Sequence, residues 1–137
     1  MIRNTLFVLL ILSTAFILIA CSDKIPEDKG IGPVTTVTLG NINEELSMQG
    51  KGIFDVKCLT CHRADADGVG PKLKDITKKR TPEWIMNIIL NPQEMISKNA
   101  TAKKVSEKYK MHMSSYGLTE QDARAVLEYL RYEDSKK

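Results

Sequence analysis

Cys58-Leu59-Thr60-Cys61-His62 contains two of the three cysteines and one of the two histidines of this 137-residue chain. The thiols of Cys58 and Cys61 are one helical turn apart, and each can add across a vinyl group of a porphyrin. The adjacent His62 can then coordinate the iron through one imidazole nitrogen. The pentapeptide therefore predicts one covalently attached haem c, with His62 as an iron ligand.

Three other chemistries use two cysteines at this spacing. A thioredoxin-like dithiol requires a βαβ context, which the surrounding sequence lacks. A structural zinc site requires four ligands, and only His112 remains if Cys21 is modified. A Cys58–Cys61 disulfide would close too short a loop to constrain the chain much. The sequence favours haem over all three.

Length and charge narrow the class of protein. A chain of this length favours one domain, and a charged fraction of 27% with a single long apolar run excludes a polytopic membrane protein. The net charge is only +3, from 20 basic and 17 acidic residues. Dispersed lysines with few aromatic residues between them give no argument for nucleic-acid binding.

Residues 1–20 are predicted to be a targeting segment, with Arg3 followed by an apolar stretch from Thr5 to Ile19. Leu18-Ile19-Ala20-Cys21 resembles the lipobox of bacterial lipoproteins, which implies lipidation of Cys21. An uncleaved signal anchor is the alternative, but an apolar run of about 15 residues is short for a membrane span. Either interpretation places the chain in the cell envelope, as a periplasmic or outer-face protein attached to a membrane.

Residues 21–42 contain prolines and glycines and no helical periodicity, so they are predicted to be a tether, with a short strand or packing of Val34, Val37 and Leu39 on the domain as the alternative. Fully extended, this tether would reach about 70 Å. Residues 43–137 are then expected to form the folded domain, lying outside the membrane to which Cys21 is attached.

Caps and periodicity predict an all-α fold of four to five helices in this domain. Asn43 is expected to cap the first helix and Thr119, paired with Asp122, the last. Between them, Thr81-Pro82 and Asn91-Pro92 are expected to start helices, with Thr81 and Asn91 as caps, and a further helix is expected at 101–109. Residues 63–80 are predicted to be a polar loop.

The chain resembles the class I monohaem c-type cytochromes. Gly50-x-x-Ile53-Phe54 is similar to their N-terminal helix, and Tyr129-Leu130 ends a segment similar to the C-terminal helix that crosses it. Gly70-Pro71 resembles the family loop in which the proline carbonyl accepts the Nδ1 proton of the haem histidine. The resemblance therefore implies a cytochrome c fold around one haem, with Pro71 fixing the tautomer of His62.

The family places a methionine ligand shortly before the last helix, and Met113 occupies that position. Ser114 stands where the family commonly has proline, so Met111 and His112 remain alternatives for the sixth iron ligand. A methionine thioether would raise the reduction potential relative to a second histidine. Met86 and Met95 are expected to pack in the core.

Arg80 and Trp84 are candidate hydrogen-bond donors to the haem propionates, because the family often uses an Arg or a Trp from this region. The alternatives are a solvated arginine and a core tryptophan. Near the expected haem edge, the sequence has five basic side chains and a single acidic one, Asp75. The basic residues are Lys72, Lys74, Lys78, Lys79 and Arg80. Such a cluster can steer acidic redox partners.

The predicted function is electron transfer between exported or membrane-bound respiratory proteins, without catalysis. The segment from Arg80 to Pro92 is similar to cytochromes that accompany nitrous oxide reductase. Two alternatives remain. One is a haem enzyme or gas sensor with an open sixth iron position, and the other is a permanently docked module of a respiratory complex.

Overall fold

A computed structural model describes residues 28–136, and this part of the chain contains six helices and no strand. The helices are α1 (Glu44–Lys57), α2 (Ile76–Lys79), α3 (Pro82–Leu90), α4 (Pro92–Lys98), α5 (Ala100–Ser106) and α6 (Glu120–Ser135). The predicted all-α fold is confirmed, with α2 as the helix that the sequence did not predict. The proposed signal peptide (1–20) and Cys21 lie outside the described residues. No helix within 28–136 is long and apolar enough to cross a membrane.

Three predicted helix starts are confirmed by their capping hydrogen bonds. Asn43 Oδ1 accepts from the backbone N–H of Leu46 at 3.0 Å, and Thr81 Oγ1 accepts from that of Trp84 at 3.2 Å. At α6, Thr119 and Asp122 form a reciprocal capping box. Each cap satisfies N–H groups that have no partner inside the helix.

Two predicted details are wrong. Asn91 does precede α4, but its side chain donates to Glu94 Oε2 at 2.6 Å and does not cap the helix. The helix expected at 101–109 starts one residue earlier and ends at Ser106. Asn99 is its cap, accepting from the backbone N–H of Ala102 at 2.9 Å.

The crossing of α1 and α6 brings the two ends of the domain together. A Cβ atom at Gly50 would lie 1.9 Å from the carbonyl oxygen of Ala125, so only glycine permits this approach of the two backbones. Phe54 and Tyr129 pack beside it with ring centroids 5.2 Å apart. This crossing sets the position of the chain that leaves α1 into the Cys58–His62 motif.

Residues 28–42, which we call the N-terminal strap, pack against α3. The buried Asn87 accepts from the backbone N–H of Val34 and donates to the carbonyl oxygens of Val34 and Lys29, all within 2.9–3.0 Å. Glu83 Oε1 accepts from the backbone N–H of Val37 at 3.0 Å. The tether interpretation is therefore wrong for 28–42, because buried polar side chains of α3 bind this backbone; residues 21–27 lie outside the described part.

The short helix α2 depends on a distant side chain. The Asp134 carboxylate of α6 accepts from the backbone N–H groups of Asp75 and Thr77 and from Thr77 Oγ1, at 2.7–2.9 Å. These contacts shorten the loop that the sequence predicted between residues 63 and 80. Residues 107–118, which we call the methionine loop, connect α5 to α6 without a helix.

Candidate haem site

A cavity of about 320 Å³ opens between the end of α1, α3, α5, the methionine loop and α6, a volume within the range of cofactor pockets. All of the residues predicted to hold the haem line this one cavity, and so do both alternative ligands; they are Cys58, Cys61, His62, Pro71, Arg80, Trp84, Met113, Met111 and His112. The fold therefore brings Cys58 and Met113, which are 55 positions apart in the chain, to the same cavity.

The Cys58–His62 motif continues the last turn of α1. The backbone N–H groups of Cys61 and His62 both donate to the carbonyl oxygen of Cys58, at 3.0 and 2.8 Å. Both cysteines are half-buried at the cavity wall. Burial, and secondly the neighbouring Cys61, raise the pKa of the Cys58 thiol to about 11, so it is neutral at physiological pH.

No group of three or more His, Cys, Asp or Glu side chains converges anywhere in residues 28–136. The zinc site considered for Cys58 and Cys61 would therefore lack its further ligands. Two thiols facing an apolar cavity next to a histidine suit thioether attachment of a porphyrin instead.

The His62 imidazole is positioned by a hydrogen bond to Pro71 and lies close to the backbone of Gly70. Its Nδ1 lies 2.9 Å from the carbonyl oxygen of Pro71, as the resemblance implied. A carbonyl only accepts, so Nδ1 carries the proton and Nε2 keeps the lone pair that an iron requires. A Cβ at Gly70 would lie 2.7 Å from His62 Cε1, so the absence of a side chain there leaves room for the ring.

The rest of the cavity wall is largely aliphatic, which suits the apolar face of a porphyrin. Part of this wall is formed by Ile85, Ile88 and Ile89, whose spacing in the sequence predicts one buried face of the helix that follows Thr81-Pro82 but does not assign them to a site. The periodicity that identified this face could not show that it borders a cavity. The aliphatic lining comprises Leu73, Ile76, Ile85, Ile88, Ile89, Ile96, Val105, Val126 and Leu130, together with Val69 at the rim.

Arg80 and Trp84 lie together at the cavity wall. The Arg80 guanidinium is 5.3 Å from the centroid of the Trp84 ring, and its Nη1 donates to the carbonyl oxygen of Lys79 at 3.0 Å. The buried Trp84 donates from Nε1 to Asn99 Oδ1 over 3.4 Å. Trp84 thus packs in the core and also lines the cavity. Binding of a haem propionate by Arg80 or Trp84 stays a prediction.

The three candidate sixth ligands differ in burial. Met111 is 65% exposed, and His112 is exposed with its Nδ1 2.6 Å from Ser106 Oγ. Met113 is half-buried and packs against the hydrophobic core. Burial therefore favours Met113 among the three.

Comparisons with known proteins agree with the interpretation of this cavity as a haem site. The family model described as Cytochrome c matches residues 47–133. Cytochrome c from Rhodothermus marinus is 43% identical, with a TM-score of 0.74 over 75% of this chain and 90% of that one. An engineered form of that cytochrome, Rma TDE, is 42% identical, with the same TM-score over 77% and 92% of the two chains.

A more distant similarity is to the cytochrome c domain of the pp3183 protein from Pseudomonas putida. It is 26% identical, with a TM-score of 0.58 over 64% of this chain and 89% of that one. A search of the curated proteins gave no match.

The predicted cofactor and fold are thereby confirmed, since the family carries covalently bound haem c and Cys58 and Cys61 stand in its attachment motif. The chain belongs to the cytochrome c family, as a class I monohaem protein of the kind that acts as a haem-based electron carrier.

Proposed function

We propose that this protein is a membrane-attached shuttle that carries single electrons between respiratory proteins of the cell envelope, and that His62 and Met113 would be the two protein ligands of its iron. The observation that carries this proposal is the half-buried Met113, which lines the same cavity as His62 and packs on the core. Six ligands leave no iron position for a substrate, which favours electron transfer over catalysis.

When bound, the haem would supply an iron that alternates between Fe(III) and Fe(II). The protein holds that iron in one environment. Pro71 fixes the His62 tautomer through the 2.9 Å contact to Nδ1, and the aliphatic wall around Ile85 and Leu130 excludes water. The protein structure would then change little when the charge of the iron changes. A small structural change keeps electron transfer fast.

The test is a visible spectrum of the matured protein, oxidised and dithionite-reduced, with and without carbon monoxide. The proposal predicts a low-spin ferric spectrum with a weak far-red methionine–iron band, and no shift when carbon monoxide is added. A high-spin spectrum that shifts with carbon monoxide would instead support the haem enzyme or gas sensor. Ser114, in the place of the usual proline, is the feature that keeps this second function under consideration.

We also propose that lipidation of Cys21 attaches the protein to the membrane. Because the strap packs against the domain from Asp28 onward, at most residues 21–27 connect the lipid anchor to the domain. Fully extended, they would reach about 23 Å, whereas residues 21–42 would reach about 70 Å. The domain would stay close to the bilayer and meet partners there. Cys21→Ser should release the haem protein from the membrane fraction, while Ser22→Ala should not; retention of Cys21→Ser would contradict the anchor.

The proposed partners are acidic redox proteins, because Lys72, Lys74 and Lys79 are exposed at the loop that borders the cavity. Lys78 is less available because it pairs with Asp75 at 2.6 Å. A terminal reductase is the proposed acceptor, and the resemblance of the Arg80–Pro92 segment suggests nitrous oxide reductase. Electron transfer to the acceptor should slow as salt concentration rises, and co-purification in mild detergent would indicate a docked module.

A further inference from the structure

Asn99, at the start of α5, contacts three separate parts of the domain. Its Nδ2 donates to both carboxylate oxygens of Asp28, at 2.9 and 3.0 Å. Its Oδ1 accepts from the backbone N–H of Ala102 at 2.9 Å and from Trp84 Nε1 at 3.4 Å. One amide side chain therefore joins the N-terminal strap to α5 and to the tryptophan of the cavity wall.

Asp28 is fixed in turn by the domain. Its carbonyl oxygen accepts from Thr81 Oγ1 at 2.7 Å, and its carboxylate also accepts from the backbone N–H of Gly30 at 2.9 Å. Burial acts to raise the pKa of Asp28, but hydrogen bonds from Asn99, Gly30 and Thr101 hold it below its ordinary value. The carboxylate is thus ionised at neutral pH, and both oxygens can accept from Asn99.

Helix α5 connects Asn99 to the methionine loop. Its residues Ala102, Val105 and Ser106 line the cavity, and Ser106 Oγ lies 2.6 Å from His112 Nδ1, one residue before Met113. A contact between Tyr109 and Asp67 also holds the loop. Because the loop has no helix of its own, its position depends on the helix that precedes it and on these few side-chain contacts.

We propose that Asn99, oriented by Asp28 of the strap, is a positioning residue that holds α5 and thereby keeps Met113 at the iron. The inference rests on the proposed function, because it takes Met113 as the sixth ligand. Asp28 does not line the cavity; it acts on α5 through Asn99 and secondly through Thr101. Loss of the Asp28–Asn99 contact should let α5 shift and make Met113 easier to displace.

The test is a titration of the ferric holoprotein with imidazole, followed by loss of the far-red methionine–iron band. Asp28→Ala leaves Asn99 in place to cap α5, and it should tighten apparent imidazole binding about tenfold, as expected for loss of a charged hydrogen-bonded pair. Asp28→Asn retains one acceptor oxygen and should recover part of the effect. Both variants remove the negative charge of Asp28, which lies near Arg80. The difference in imidazole affinity between the two variants therefore reports the hydrogen bonding of residue 28.

Asn87→Ala is the matched control, since it removes three strap contacts without touching Asn99 or α5. Its imidazole affinity should stay within about twofold of the wild type. Ser106→Ala should act in the same direction as Asp28→Ala, and the double variant should fall short of the product of the two effects, because both substitutions act on the same connection. An unchanged affinity in Asp28→Ala, or an equal change in Asn87→Ala, would overturn the proposal.

Amide hydrogen exchange separates this inference from the proposed function. Asp28→Ala should speed exchange over residues 100–118, whereas Asn87→Ala should not. Unchanged exchange there would overturn the positioning role even if the methionine–iron band is present. Absence of that band in the wild type would overturn Met113 as the ligand, while exchange would still report whether Asp28 holds α5.

Discussion

The α1–α6 crossing and the methionine loop both border the haem cavity, but they are held in place by different means. At the crossing, backbone meets backbone, with no space for a Cβ at Gly50 against Ala125. In the methionine loop, only Met113 and Leu118 pack against the core, and single side-chain contacts such as Ser106–His112 fix the path. The half of the site that carries Cys58, Cys61 and His62 is therefore positioned by close packing of two backbones, whereas the half that carries Met113 depends on individual hydrogen bonds.

The largest effect is expected at the crossing. Gly50→Val would place side-chain atoms where the Ala125 carbonyl lies, and it should lower the free energy of unfolding by at least about 3 kcal/mol or prevent folding. Denaturant unfolding measures this. Gly52→Ala is the matched control on the same helix, because a Cβ there meets nothing within 4 Å; it should stabilise the protein by about 0.5–1 kcal/mol. Equal effects at both positions would contradict the account.

The next effect concerns Glu128, which lies fully buried in α6. It accepts from the backbone N–H of Asn43 at 2.8 Å and pairs with Arg124 and Arg131. Burial acts to raise its pKa, but these hydrogen bonds hold the pKa of the Glu128 carboxyl below its ordinary value. Glu128→Gln keeps the shape and removes the charge, so it should cost about 3 kcal/mol at pH 7.

The pH dependence of that difference gives a second readout. A carboxyl with a lowered pKa in the folded state contributes stability that is complete above its unfolded pKa and is lost as the pH falls through its folded pKa. The stability difference between wild type and Glu128→Gln should thus be constant above about pH 5 and shrink toward lower pH. A difference that stays constant into strong acid would show that the charge contributes nothing.

A smaller effect is expected beside His62. Gly70→Ala would place a Cβ 2.7 Å from His62 Cε1, so the imidazole must shift and the contact to Pro71 lengthen. The expected loss is about 1–3 kcal/mol of stability, with a changed haem spectrum. Gly68→Ala serves as control, since its Cβ would come no closer than 3.4 Å to the Cys61 carbonyl. If Gly68→Ala perturbs the spectrum as strongly, the contact with His62 is not the cause.

The smallest effect is expected where the methionine loop joins α6. Thr119→Ala removes the capping box and should cost about 1 kcal/mol in the free energy of unfolding. Thr119→Ser retains the hydroxyl and should recover most of this loss. Failure of serine to restore stability would mean that the methyl group, not the cap, is what matters.

The sequence predicted those parts of the fold that depend on local signals. Each of these signals acts over a few residues or matches a family pattern. They are the caps at Asn43, Thr81 and Thr119, the glycine at the crossing and the Cys58–His62 motif. The residues predicted to hold the haem all line one cavity for the same reason, whereas Cys21 lies outside the described residues.

The parts that were missed depend on hydrogen bonds between distant residues. The strap was interpreted as a tether because its prolines and glycines resemble a linker, and nothing near it in sequence shows that Asn87 binds its backbone. Helix α2 similarly depends on Asp134, 57 residues beyond Thr77. Asn99 gave no signal beyond that of a common capping residue, because Asp28 is 71 positions away.

The central claim, that Met113 closes the sixth iron position, is tested most directly by the ferric visible spectra of Met113→Ala and Met111→Ala. We expect Met113→Ala to lose the far-red methionine–iron band and to bind carbon monoxide when reduced, while Met111→Ala matches the wild type in both respects. Survival of the band in Met113→Ala, or its loss in Met111→Ala, would contradict the claim.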